Sequence, residues 1–341
     1  MRSKNSIILP LLLLFINCTV HRPDQARIHL VWPAPPDAPR IQYLGQFSSP
    51  RELGITVPWY RRVHQAITGK REEKIKLISP YHICVTPEGD IYVTDTFAPS
   101  VHLFKRRGRK YREIVPGSNL PMASAIGIAV DHRGRVVVAD SVRSAVFVLN
   151  DKGKHLLTIN SHLGRPTGIA VDSELARIYV VDTLAHQLKV FDFSGKPIRS
   201  IGQRGTQPGD FNFPTAVCID RQHRIYVADT MNFRIQIFDP QGNYLTHFGQ
   251  AGDGTGYFAR IKGIAVDSLG HIYVSDAQFD VVQVFDIEGN FLLTVGKSGP
   301  GPGEFRFPAG LCIDKNDIIY VVDKLNQRVQ MFQYMKGNDV R

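Results

Sequence analysis

Residues 215–229 read TAVCIDRQHRIYVAD, and residues 230–248 continue TMNFRIQIFDPQGNYLTHF. A short apolar run closes on Asp220, a polar turn follows, and a second apolar run closes on Asp229. Next comes an alternating segment, Arg234 to Phe238, which turns through DPQGN into a last one, Tyr244 to Phe248. Period-two alternation punctuated by Asp, Asn, Gly and Pro is the pattern of half-buried antiparallel strands joined by tight turns. The unit is therefore four strands long.

The same unit recurs along the chain. Its first half returns as YHICVTPEGDIYVTD (81–95), IGIAVDHRGRVVVAD (126–140), TGIAVDSELARIYVVD (167–182), KGIAVDSLGHIYVSD (262–276) and GLCIDKNDIIYVVD (310–323). The closing aspartates, Asp95, Asp140, Asp182, Asp229, Asp276 and Asp323, are spaced by 45, 42, 47, 47 and 47 residues, the length of one four-stranded blade. One such sheet cannot bury both faces alone, so six must stack about an axis. The expected fold is all-β, a six-bladed β-propeller of four-stranded antiparallel blades in a single domain over residues 40–341, with the six repeats over 78–336.

The sixth copy has three strands and then the chain stops. RIQYLGQF, residues 40–47, carries the pattern of the missing fourth strand and precedes the first repeat, so it is expected to close the last blade. Such closure removes open sheet edges. Residues 50–77 form a lead-in, with a short helix expected over PWYRRVHQAIT (58–68) because Pro suits a first helical position.

Composition agrees with a globular chain: 43% apolar and 21% charged residues allow a full core and exclude wholesale disorder. The start is different. Arg2 and Lys4 precede an uncharged stretch whose apolar heart, Ile7 to Ile16, is too short to span a bilayer, the build of an export signal over 1–17. LLLLFINC resembles a bacterial lipoprotein signal, which implies that Cys18 bears the lipid; Asn17 departs from that pattern, where a small residue is usual. Residues 18–39 then read as a tether, with VWPAPPDAP (31–39) an extended polyproline spacer. The chain is expected to be exported and held on a bacterial membrane, facing the periplasm or the exterior. Its net charge of +10 favours acidic partners, and export speaks against nucleic acid. The run KRRGRK (105–110) falls at a hairpin turn and reads as a solvated loop.

DTMNFRIQIFD (229–239), together with G-x-x-G-x-x-P-G-[DE]-F-x-F-P at 202–214 and 296–308, resembles the NHL repeat. Asn and Arg of D-x-x-N-x-R stand at Asn232 and Arg234, and at Asn326 and Arg328; the other blades replace them. The resemblance implies a propeller serving as a binding platform for a protein or an acidic glycan, as a monomer. Related six-bladed propellers include lactone hydrolases and peptide-amidating lyases with a channel metal, so a metal-dependent hydrolase or lyase using calcium or zinc is the alternative.

The residues themselves favour binding. Each closing aspartate is read as a turn former that accepts backbone N–H groups and, at Asp229 and Asp323, pairs with an Arg five residues on. Asp131, Asp172, Asp220, Asp267 and Asp314 end the inner strands in the same way. Cys84, Cys218 and Cys312 share a column with Ala129, Ala170 and Ala265 and read as small packed side chains, and no C-x-x-C occurs. The column opening the inner strands reads His82, Gly127, Gly168, Ala216, Gly263, Gly310, with one imidazole where a metal needs several donors. The column before it reads Tyr81, Ile126, Thr167, Thr215, Lys262, Ala309. His82, Tyr81 and Lys262 are thus the candidates at the axis. Arg143, His186, Phe233 and Asp280 vary in kind at loop positions and are the candidate rim contacts. No catalytic residue is assigned and no cofactor is expected.

Overall fold

The structure is a computed structural model that describes residues 29–55, 76–97, 99–115 and 122–335. The export signal, Cys18 and the helix expected at 58–68 lie outside these residues. Among the described residues no helix is long and apolar enough to cross a membrane.

Six antiparallel sheets form a ring. Inner strands run over Pro80–Val85, Ala125–Val130, Pro166–Asp172, Ala216–Ile219, Ile261–Val266 and Pro308–Ile313, one per blade in chain order. Each inner strand packs beside the next, and the sixth packs beside the first. The second strand Ile225–Asp229 and the third strand Arg234–Phe238 are buried at every position, and their counterparts in the other blades at most positions. Outer strands such as Tyr244–Phe248 bury chiefly their last residue. This gradient follows from position, since an outer strand has one face and one edge in solvent.

Why the inner strands carry glycine is a matter of distance. A Cβ on Gly310 would lie 2.5 Å from Cδ2 of His82 and 2.8 Å from its Cα, and one on Gly168 would lie 2.7 Å from the Cα of Ala216. Neighbouring blades meet backbone to backbone there. The cores lie between blades, not within them: Ile83 of the first blade shares a cluster with Tyr320 and Val322 of the sixth, while Cys84 faces Val136 and Val138 of the second.

The sixth blade is built from both ends of the described chain. Ile41–Phe47 pairs antiparallel with Arg328–Tyr334, with Ile41 opposite Tyr334 and Phe47 opposite Val329. Gln46 also accepts a hydrogen bond from Arg328 at 2.8 Å, tying the two segments through their side chains. In one respect the structure departs from the sequence reading. The spacer expected at 31–39 begins as a packed element: Val31–Trp32 pairs with Ile41–Gln42 as a fifth, outermost strand, and Trp32 stands edge-on to Phe332 with ring centres 5.6 Å apart. Burying an indole against an aromatic core outweighs the polyproline preference of the residues that follow it.

Candidate functional site: a basic, aromatic channel mouth

The loops from second to third strands and those from outer to next inner strands meet on one face. The closing aspartates hold them together. Asp229 accepts from the backbone N–H of Asn212 at 2.6 Å, from Arg234 Nε at 2.8 Å, from Asn232 Nδ2 at 2.8 Å and from Gln236 Nε2 at 3.1 Å. Arg234 passes on to the carbonyls of Gln207 and Asp210. Asp323 repeats the arrangement with Arg306 N–H, Arg328, Asn326 and Gln330. These side chains are spent on carbonyls and on each other, so they hold the face. Burial raises the Asp323 carboxyl above its ordinary value against those donors.

Two features here escaped the sequence reading. In five of the six blades the residue seven beyond the closing aspartate joins the network: Gln236, Gln283 and Gln330 in blades four to six, Lys189 in blade three and His102 in blade one, while blade two has Phe147 there. The Gly-rich loop also exists three times. Phe258 fills the place of Phe211 and Phe305, all wholly buried, and Gly249 sits under it as Gly202 and Gly296 do, at positive φ and within 2.6 Å of the ring for any Cβ. The third loop lacks the Pro-Gly-Asp-Phe spelling but keeps its spacing.

Of the candidate rim contacts, His186, Phe233 and Asp280 occupy one structural position, the left-handed corner of the turn after the second strand, with φ of 54°, 56° and 57°. Two of them latch the following blade. His186 Nδ1 takes the N–H of Phe213 at 3.2 Å, and Asp280 takes the N–H of Phe307 at 2.7 Å and the hydroxyl of Ser298. Arg143 sits one place earlier in its turn, where its N–H binds Asp140. The structure does not bring these four together.

It does gather Tyr81 and Lys262 into one group drawn from four blades. Arg165 and Arg260 directly precede inner strands three and five, Lys262 is the second residue of strand five, Lys324 follows the second strand of blade six, and Phe307 precedes inner strand six. The Lys324 ammonium lies 5.2 Å from the Tyr81 ring centre and 5.6 Å from that of Phe307. Arg260 lies 5.0 Å and Lys262 5.9 Å from the Phe307 ring. Burial, then Arg260, Lys324 and Arg165, pull Lys262 down to about 8. Burial also lowers Lys324, with Asp95 opposing and Arg260 assisting, and it raises Tyr81 against Arg165 and Arg260. Among the described residues none of these four cations forms an ion pair with a carboxylate. Four cations gathered around two aromatic rings, two of them lysines lowered by burial and by their cationic neighbours, make a site for an anion.

Next to Tyr81, His82 packs on Gly310, and its Nδ1, shielded from solvent, lacks a hydrogen-bond partner. Burial lowers it to about 4, so it is neutral at ordinary pH. Among the described residues no three His, Cys, Asp or Glu side chains converge. The inner-strand aspartates are engaged at the other end: Asp220 holds Arg224 at 2.6 Å and the Tyr226 hydroxyl at 2.8 Å, and Asp267 holds His271 and Tyr273. The donor set of a metal-dependent lactonase or lyase is thus not assembled by these residues. Cys84, Cys218 and Cys312 are free thiols.

Comparison with known proteins agrees on architecture. A family model described as 6-bladed beta-propeller matches residues 268–337, and one described as SMP-30/Gluconolactonase/LRE-like region matches 140–253. No curated protein sequence matches the chain. Among solved structures, an auxiliary nutrient binding protein from Bacteroides ovatus aligns with a TM-score of 0.59 at 13% identity, covering 77% of this chain and 74% of that one. Virginiamycin B lyase from Staphylococcus aureus aligns at 0.57 and 14%, covering 76% and 96%. A protein of unknown function from Bacteroides thetaiotaomicron aligns at 0.61 and 17%, covering 76% and 70%. At these identities the likeness is one of fold. Together with the repeated Asp-centred network and the blade closed from both ends, it establishes the chain as a six-bladed β-propeller of four-stranded antiparallel blades, which an NHL-type repeat fits.

Proposed function

We propose that this protein is an exported propeller, anchored by a lipid on Cys18, that binds an acidic protein or acidic glycan at the channel mouth. One observation carries the reading: Arg260, Lys262 and Lys324 converge on Tyr81 and Phe307 beside Arg165, and among the described residues none of the four forms an ion pair with a carboxylate. Like charges held this close disfavour the empty state, and an anion relieves that cost. Fold relatives named as nutrient binding proteins support a binding role in general. The signal at the start of the chain supports export, which speaks against a nucleic-acid role.

Titration calorimetry of the full-length protein with polygalacturonate and with polyglutamate tests the site. Binding should weaken with added salt and should largely disappear when Arg165, Arg260 and Lys324 are changed together to Gln. Equal binding by that variant would remove the basis of the proposal. Anchoring is tested separately: Cys18→Ser should move the protein from the membrane to the soluble fraction, and an unchanged distribution would refute the lipid.

A further inference from the structure

Around the basic mouth runs a second ring. Two residues beyond each closing aspartate the blades carry Phe97, Val142, Leu184, Met231, Gln278 and Leu325. All but Gln278 are large and apolar, and all five of these are exposed, from 50% for Met231 to 73% for Phe97. Their backbones show that they share the face of the mouth: Met231 N–H binds the carbonyl of Asn212, Leu325 N–H binds that of Arg306, and Phe97 N–H binds Asp95. Nothing in blade packing asks for an apolar residue at this place, since the side chains touch water. Single exposed hydrophobics are ordinary, but the same exposed class at five of six equivalent positions on one face is a repeated surface feature.

Resting on the anion-binding reading of the mouth, we infer that this face docks a protein whose acidic protrusion enters the mouth while apolar surface around that protrusion covers Phe97, Val142, Leu184, Met231 and Leu325. Charge and depth select the occupant. Lys262 and Lys324 are half-buried, within the ring of more exposed apolar side chains, so a protruding carboxylate reaches them while its flanks meet the collar. Four of the five collar residues are aliphatic, which suits apolar protein side chains; sugar rings are bound by flat aromatic faces, and Phe97 alone offers one.

The probe is a synthetic peptide with two adjacent glutamates flanked on both sides by Leu and Phe, measured beside polygalacturonate on the full-length protein. Leu184→Ser, Met231→Ser and Leu325→Ser combined should weaken the peptide about tenfold and leave polygalacturonate unchanged. Each site is solvent-exposed, and an unchanged melting temperature checks that the variant folds. Wild-type peptide affinity in this variant would overturn the inference while leaving the anion site intact. So would polygalacturonate losing affinity as much as the peptide, which would make the collar part of a glycan site. Failure of both ligands to respond to loss of Arg165, Arg260 and Lys324 would instead sink the anion site itself.

Discussion

Phe47 is where the ring closes, and replacing it by Ala measures what closure is worth. Its ring is wholly buried in the strand supplied by the N-terminal segment, 5.4 Å from Phe104 of the first blade at 70° and clustered with Ile55, Leu77 and Val329. It therefore joins the first and sixth blades and both ends of the described chain. Emptying such a site costs about 3–5 kcal/mol, the sum of lost transfer and the cavity left behind. Leu44 on the same strand is 43% exposed, and its change to Ala should cost at most about 1 kcal/mol. Equilibrium urea denaturation of both variants, with equal m-values, gives the two numbers. A one-residue slip in pairing would exchange the faces of the strand. The larger loss would then appear at Leu44 instead of Phe47, and a detached strand would make both losses small. Either pattern would refute the closure described here.

Arg328→Ala should destabilise by about 3–5 kcal/mol, because it leaves the buried Asp323 carboxylate without its guanidinium and the Gly301 carbonyl without its donor; with Asp323→Asn added, a double-mutant cycle should fall well short of additivity. Asp182 is wholly buried, which would raise its carboxyl, but the N–H groups of Arg165 and Gly164 and the Lys189 ammonium hold it below the ordinary 3.8. Its contribution is complete above 3.8 and lost as pH falls through the lower folded value, so urea stability of Asp182→Asn should be reduced at neutral pH and fall less steeply in acid than that of the wild type. Lys262 titrates at about 8 in the folded protein against an ordinary 10.5, so the unfolded chain binds more protons between those values. Stability should therefore rise across that window while polyanion affinity falls, and Lys262→Gln should flatten both slopes, as parallel urea and calorimetric titrations would show.

The fold was legible because its determinants are local and repeated. Asp95, Asp140, Asp182, Asp229, Asp276 and Asp323 punctuate strands of one length, and RIQYLGQF has the alternation of an outer strand wherever it stands in the chain. Trp32 misled for the opposite reason: its neighbours Pro33, Pro35 and Pro36 speak of a spacer, and only the aromatic surface of Phe332, hundreds of residues on, gives it a place to pack. Tyr81 and Lys262 were visible as odd members of a column of small and apolar residues. Arg165, Arg260 and Lys324 were not, because they stand outside the inner-strand columns of blades three, five and six and converge only when the ring closes. Reading across blades at the residue before each inner strand, rather than along the chain, is the signal that would have found Arg165, Arg260 and Phe307. The Gln at the seventh place was likewise masked by its replacement with His102, Phe147 and Lys189 in the first three blades.

The short strand at Val31–Trp32 has a mechanical meaning. A pull on the chain ahead of it would load the pairs Val31–Gln42 and Trp32–Ile41 first, and then Ile41–Tyr334 through Phe47–Val329 in series. That is unzipping, in which each rung bears the whole force in turn, and it resists far less than shearing all rungs at once. The seam that closes the ring is thus the one that tension opens first, and the indole of Trp32 is the stitch that tension must break before reaching it.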